Sequence, residues 1–493
     1  MKKKMIMNTI TSLISNLVNV VYGFVLPRLI LEQFGSDVNG LTQSIKQFLG
    51  VISFLDMGVG QIARSALYKP LAQKDYGALS RVMVSGGKFY RKLARALLVY
   101  VVILTLVYPA LAAQQYEAAF VTSLIVSMAV GSFCQYYFGI ANEQLLHADQ
   151  RGYVIFSLQI LTNLLNALVC ILVIRMGGSI QMVKWATAMV FLLRPLVICL
   201  YVKKHYPIDK HIQYDEEPIK QKWNGIAQHV SAVVLDGTDT IVLTVLSTLS
   251  NVSVYSVYYM VIGSIQSLYQ SATAGVQSAA GALWAGGNVA SQKKMFSTTE
   301  LVLHSVTVIL FCCTGLLIVP FVRVYTEGLT DAQYIQPLFS GLLVLAYGIR
   351  CLRTPYNIWI LAAGHYKQTQ RCHIVAAALN LLISVFAVSR WGLVGVAIGT
   401  VVAMTYQTAW MVLYNAHHLL KWPLRSLIKR FAVDILTAGL IVLLCRRFVM
   451  QDNSYLGWFL LAVKTGCTAL AVTAVTTLVF YRRLALSLLR RGA

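Results

Sequence analysis

The chain has 493 residues, of which 57% are hydrophobic and only 12% charged, about half the ~25% of an average soluble protein. That is too little charge to cover a soluble fold of this size, which excludes a soluble enzyme, a disordered tail and a collagen-like chain and leaves a polytopic membrane protein. The net charge of +23 sits in short loops between apolar runs, a positive-inside pattern and not a nucleic-acid-binding patch, so no nucleic-acid partner is expected.

Apolar runs long enough to cross a hydrocarbon core of about 30 Å recur about fourteen times. Runs of this length are helices, since barrel strands would alternate over about 10 residues. Met1-Lys2-Lys3-Lys4 leads into a first span over 9–31, interrupted by Asn8, Thr9, Asn16 and Asn19 and lacking a small-residue cleavage site, hence read as uncleaved. Spans two to six are expected over 39–64, 90–111, 118–141, 153–175 and 181–203. A hydrophilic stretch near 202–222, with Pro207, Asp215, Glu216, Glu217 and Pro218, divides the chain. Spans seven to twelve follow over 223–248, 252–283, 299–324, 335–363, 371–389 and 393–416, and two more over 430–448 and 457–480.

The expected architecture is an all-α polytopic membrane protein with two pseudo-symmetric six-helix bundles. They cover 1–205 and 223–420, joined by a cytoplasmic linker at 206–222 and followed by two extra helices and a basic tail over 421–493. Lys69, Lys74, Arg81, Lys88, Lys203, Lys204, Lys210 and the terminal arginines gather on one side. The opposite loops carry Glu32, Asp37, Glu117, Glu327 and Asp331. Both termini are therefore expected in the cytoplasm of a cell in whose membrane the chain lies. The segments opening spans two and eight, Phe34-Gly35-Ser36-Asp37 and Leu249-Ser250-Asn251-Val252, match in register at an offset of about 214 residues, a repeat with both copies in one orientation.

Charges inside spans are costly and mark functional interiors or buried pairs. Arg28 and Lys46 face either a cleft that attracts an anion or the outer interface, by snorkelling. Asp56 and Arg64, around Gly58 and Gly60, form either a gating element or a packing pair. Asp236 and Asp239 share a face of span seven and hold either a coupling cation or two arginines. Arg350 and Arg353 share a face of span ten, where two forked guanidinium groups suit a diphosphate. Lys184, Arg194, Asp434 and Lys464 complete the charges. Polar stripes run along span eight (Ser264, Gln266, Ser267, Gln270, Ser271), span five (Gln159, Asn163, Asn166) and span four (Gln135, Tyr136, Tyr137), suiting sugar hydroxyls or helix adhesion. The nine cysteines show no CxxC pair and read as small apolar side chains, so no metal site is expected.

The sequence resembles the oligosaccharide flippase branch of the multidrug/oligosaccharidyl-lipid/polysaccharide exporter superfamily. The resemblance is carried by Phe34-Gly35-Ser36-Asp37-Val38-Asn39-Gly40-Leu41, Phe54-Leu55-Asp56-Met57-Gly58-Val59-Gly60, Lys69-Pro70-Leu71-Ala72 and Leu235-Asp236-Gly237-Thr238-Asp239. It implies two six-helix bundles around a cavity that opens to alternate sides. The implied cargo is a polyprenyl-diphosphate-linked oligosaccharide moved from the inner to the outer leaflet for surface polysaccharide synthesis. The two extra spans resemble those of the lipid II flippase, which form a lateral groove there, but fewer arginines in the first half argue against lipid II as cargo. Implied partners are membrane lipids and a glycan polymerase or glycosyltransferases. No cofactor is expected, while coupling to a Na+ or H+ gradient or to membrane potential is left open. The substrate-binding set is Arg28, Lys46, Arg350, Arg353 and Gln270, and the coupling or gating set is Asp56, Arg64, Asp236 and Asp239. The competing reading is a cation-coupled multidrug antiporter of the same superfamily. External loops of about 5–12 residues leave little room for the soluble part a membrane enzyme needs.

Overall fold

A computed structural model describes residues 2–52, 59–112, 115–219 and 226–492. Among them the regular structure is helical, and the described residues of each expected span fall mainly on helix. The chain forms two compact units, Met1–Val233 and Val234–Ala493.

In the first unit, α1 (Lys2–Gly50) holds the first span and the start of the second, bent at Gly35 with φ 82°. A Cβ is strained in that backbone conformation, and the glycine lets two spans follow each other without a loop. Then come α2 (Val59–Gln73), α3 (Tyr76–Ala112), α4 (Ala118–Cys134), a π turn at Gln135–Gly139, α5 (Ile140–Ala148), α6 (Gly152–Arg175) and α7 (Ile180–His205). Gly60 admits α2 close to α5, since a Cβ there would meet Gln144 Nε2 at 3.0 Å. The stretch after α7 folds back on α3: the Asp209 amide donates to Ser80 Oγ at 3.0 Å, and Ser85 donates to Glu217. Ile219 is buried with Leu79, Val82, Met83, Val202 and Tyr206. As far as residue 219, the expected linker is thus part of the first unit's packing.

The second unit contains α8 (Ile226–Leu246), whose start lies in the first unit, then α9 (Leu249–Ala285), α10 (Val289–Tyr325), α11 (Pro337–Leu352), α12 (Thr354–Ala362), α13 (Tyr366–Tyr414), α14 (Leu424–Cys445) and α15 (Tyr455–Gly492). Helix α13 is two spans bent at Gly392, with φ 50°. The extra helices pack on α10 through Val308, Ile441, Cys445 and Ala469, and Trp458 Nε1 donates to the Leu317 carbonyl at 3.1 Å.

The repeat read from the sequence recurs in the element pattern. Helices α3 and α10 are each 37 residues long, and α6 and α13 begin about 214 residues apart. The π turn at Gln135–Gly139 has its counterpart in the α11–α12 break at Arg353, so span four and span ten are interrupted at matching places.

Eight of the described helices are long and apolar enough to cross a membrane on composition alone, two of them being the bent α1 and α13. The spans outside that set are α8, α9, α11–α12 and α14. These carry Asp236 and Asp239, the Ser/Gln stripe, Arg350 and Arg353, and Arg430 and Asp434.

Candidate functional site

In the first unit, Lys46 lies eleven residues past the Gly35 bend, about 16 Å along the helix, and is exposed. Lys184, one turn into α7, is half-buried and close enough to Lys46 for the two positive charges to interact. Neither ammonium forms an ion pair with a carboxylate among the described residues. Two cations within electrostatic reach of each other repel, and a shared anion would remove that cost. The sequence reading selected Lys46 and left Lys184 without a role.

Arg28 is engaged locally, one turn from Glu32 with Nη2 at 2.7 Å from the carboxylate. The stripe Gln159, Asn163 and Asn166 joins helices: Gln159 and Asn163 donate to Asn19 at 3.2 and 2.5 Å, and Asn166 donates to Tyr22 at 2.7 Å. These bonds fasten α6 to α1, so this stripe serves adhesion. Asp56 lies outside the described residues. Arg64 donates to Gln144 at 2.9 Å, and Arg194 pairs with Glu143 at 3.0 Å. His147 lies within electrostatic reach of Arg64, Glu143 and Arg194.

Outside the spans, Asp149 ties the start of α1 to the α5–α6 loop and the end of α7. It pairs with Lys4 at 3.4 Å and Arg151 at 2.7 Å, and accepts from Tyr206 at 2.6 Å. Burial first, and then the Asp149 carboxylate, push the Tyr206 phenol well above its ordinary pKa, so it stays a donor. Asn8 donates to the Gln150 carbonyl and accepts from the Tyr153 amide, fixing the start of α1 to the same loop.

In the second unit, Asp239 is 1% exposed. It accepts from Thr400 at 2.8 Å, Tyr255 at 3.1 Å and Asn380 at 3.3 Å. Asn380 Oδ1 is buried and accepts no hydrogen bond, while Ser384 Oγ donates to the Val396 carbonyl at 3.5 Å one turn before Thr400. One carboxylate thus stands among neutral oxygens from α8 and both halves of α13, the donor set of a hard monovalent cation. No group of three or more His, Cys, Asp or Glu suited to a metal occurs among the described residues. Asp236 lies on α8, and its side chain is outside the described set.

Arg350 stands 5.8 Å from the Tyr347 ring, and Arg353 caps α11 at the helix break, near Cys372 and His373. Both are half-buried, and Gln270 is exposed on α9. Sequence reasoning missed a buried charged cluster on α10 and α14. Glu300 accepts from Tyr356 at 2.6 Å and pairs with Arg430 at 3.5 Å, while His304 Nδ1 meets Asp434 at 2.6 Å. Asp434, which the sequence leaves as an interfacial or lipid-groove residue without a role, is 9% exposed and lines a cleft with α10 and α15.

No protein-family model matches the sequence, and no curated protein matches it. Solved structures do. A structure titled "Lipid II flippase MurJ, inward closed conformation" aligns with TM-score 0.73 and 14% identity, over 97% of this chain and 100% of that one. An inward-facing multidrug resistance MATE family transporter of the MOP superfamily aligns with TM-score 0.63 and 15% identity, over 81% of this chain and 94% of that one. An outward-facing structure of such a transporter aligns at 0.58 and 14%, over 85% and 96%. The chain has the fold of the MOP superfamily transporters. With eight apolar helices of membrane-crossing length among the described residues, it is the fold of a multi-pass membrane protein.

Proposed function

We propose that this transporter is a flippase that carries a polyprenyl-diphosphate-linked oligosaccharide from the inner to the outer leaflet of the cytoplasmic membrane by alternating access. Both termini lie in the cytoplasm, and the product serves surface polysaccharide synthesis alongside glycosyltransferases and a polymerase. The observation that carries the reading is Lys46 with Lys184: two neighbouring ammonium groups in the spans of the first unit, with no described carboxylate as partner. A cationic drug would be repelled there, whereas a diphosphate supplies the missing charge. Arg350 and Arg353, one turn apart, offer forked donors to the same chemical group, and exposed Gln270 offers hydrogen bonds to sugar. No covalent step is needed: the barrier to crossing is desolvation of the head group, which polar protein surroundings lower.

Asp239 supports coupling to a cation gradient. The residues that would hold a Na+ ion are Asp239, Asn380, Ser384 and Thr400, with the buried Asn380 Oδ1 as an acceptor awaiting a partner. The ion would compensate the carboxylate, which accepts from Thr400, Tyr255 and Asn380. Arg64 and Asp56 belong to the gating side of the proposal.

Binding of a short-chain polyprenyl-diphosphate oligosaccharide to purified protein tests the anion site. The Lys46→Ala/Lys184→Ala double variant should bind at least tenfold more weakly, with unchanged thermal stability. Equal affinity in wild type and double variant removes these lysines from the cargo site.

A further inference from the structure

We propose that Tyr255, Tyr259 and Tyr347 couple the two sites of the second unit: ion occupancy at Asp239 moves this row of rings and so sets the position of Arg350 for a diphosphate. The proposal rests on the flippase reading and deepens it, because it names the positioning residues between ion and cargo.

Tyr255 and Tyr259 lie four residues apart on one face of α9, and Tyr347 and Arg350 three apart on one face of α11. The Tyr255 hydroxyl donates to Asp239 Oδ2 at 3.1 Å. Its ring stacks on that of Tyr259, with centroids 5.7 Å apart and planes 15° from parallel. Tyr259 meets Tyr347 edge to face, at 5.7 Å and 65°. The Arg350 guanidinium stands 5.8 Å from the Tyr347 ring. Each separation is within the range where ring pairs, or a ring and a cation, attract each other. An unbroken line of contacts therefore runs from the carboxylate to the guanidinium.

The row is confined. Tyr255 and Tyr347 are 3% and 0% exposed. Phe339, also at 0%, lies 6.0 Å from the Tyr255 ring and is itself held edge-on by Tyr258 at 5.4 Å. The Tyr258 hydroxyl donates to the Tyr334 carbonyl at 2.8 Å, which fixes that backing. In a close-packed interior a displaced side chain moves its neighbour. Tyr255 is backed by Phe339, and Tyr259 is the half-buried member of the row, so displacement passes along it.

The direction of the coupling follows from charge. With no ion at Asp239, the Tyr255 hydroxyl makes a charge-assisted bond to the carboxylate. That bond anchors the row and holds Arg350 over the Tyr347 ring. A cation draws on the same carboxylate and weakens the bond, which loosens the row and frees the guanidinium for phosphate oxygens. Neutralising Asp239 also removes a negative charge that opposes anion binding in the same unit. Both effects make sodium raise the affinity for a diphosphate, and by linkage a diphosphate raises the affinity for sodium.

The test is pyrophosphate binding to the full-length protein in nanodiscs, by titration calorimetry in NaCl and in choline chloride at equal ionic strength. The part that counts is the binding lost in Arg350→Ala/Arg353→Ala. Wild type should bind at least about fivefold more tightly in sodium. Tyr259→Phe keeps the ring contacts and should keep that ratio. Tyr259→Leu loses them, and the ratio should fall by about threefold or more, while the sodium-dependent rise in Tm persists. A tyrosine with a packing role alone would lower Tm in both salts and leave the ratio untouched. Through-space attraction is common to all the variants, so the Phe and Leu pair isolates the ring contacts. Should Tyr259→Leu fail to fold, Tyr255→Phe, which keeps the ring and drops the hydroxyl, should lower the ratio likewise. Equal ratios in Tyr259→Leu and Tyr259→Phe overturn the relay and leave the anion site standing, as does a wild-type ratio of one. Loss of the sodium-dependent Tm rise in Tyr259→Leu also overturns it, by making Tyr259 part of the ion site. Absence of arginine-dependent pyrophosphate binding in both salts overturns the anion site itself, and the relay with it.

Discussion

Replacing Asp239 by asparagine separates structural from ion-binding roles at the second unit's carboxylate. The side chain is 1% exposed and accepts from Thr400, Tyr255 and Asn380. Asparagine keeps the volume and one acceptor oxygen, but turns an NH2 toward at least one donor. A buried donor left without an acceptor costs about 1–3 kcal/mol, so Asp239→Asn should lose roughly that much stability in the absence of added ion. Alanine would orphan three donors and should cost more, about 3–6 kcal/mol on the same scale. The diagnostic quantity is the effect of sodium. An ion that binds only the folded state stabilises it by about 2.7 kcal/mol at a hundred times its Kd. Wild type in nanodiscs should therefore melt at a higher temperature in NaCl than in choline chloride at equal ionic strength, and Asp239→Asn should show no such difference. A sodium-dependent Tm rise of the same size in Asp239→Asn would refute the assignment of these oxygens to the ion.

Other outcomes follow from particular contacts. Gly35→Ala places a Cβ at φ 82° and should cost about 1–2 kcal/mol, measured as a lowered Tm. Tyr206→Phe removes a donor to Asp149 and should lose about 1–3 kcal/mol, with faster hydrogen exchange at the start of α1 as the local sign. A protected exchange pattern equal to wild type would contradict the role of that loop in holding α1. Arg350→Lys should retain folding yet weaken flipping, since lysine keeps the charge but lacks the planar fork; undiminished flipping in an Arg350→Ala/Arg353→Ala variant would remove both arginines from the cargo site. A cysteine introduced at Lys210 should stay unlabelled by an impermeant reagent added outside intact cells, and labelling would reverse the topology.

Long apolar runs made the spans legible in the sequence, and glycines at positive φ explain how two helices of 49 residues each hold more than one span. Asp239 was visible as a carboxylate in an apolar run, but its partners Asn380 and Thr400 lie 141 and 161 residues away, beyond any local pattern. Lys46 and Lys184 illustrate the same limit, since nothing in spacing tells which charges come within reach of each other. Glu300, His304, Arg430 and Asp434 were missed for another reason. They lie near span ends, where a charge ordinarily marks the interface. The signal was the i,i+4 spacing repeated on two spans, which places each pair on one face. Arg28 and Glu32 have the same spacing and pair in the structure, although the sequence reading set Arg28 at an anion cleft or the outer interface and Glu32 in a loop. The Gln159–Asn163–Asn166 stripe was legible as polar, but whether it met water or another helix depended on Asn19 and Tyr22.

The central claim, that the chain flips a diphosphate-linked glycolipid, is tested most directly in proteoliposomes containing the purified full-length protein and a fluorescent polyprenyl-diphosphate oligosaccharide in the inner and outer leaflets. Head groups accessible to an impermeant glycosidase are counted over time. The account predicts that the protected fraction becomes accessible with wild type and stays protected with Lys46→Ala/Lys184→Ala. Protection equal to protein-free liposomes with wild type under an imposed Na+ gradient, together with gradient-driven uptake of a cationic dye by the same vesicles, would contradict it and favour the antiporter.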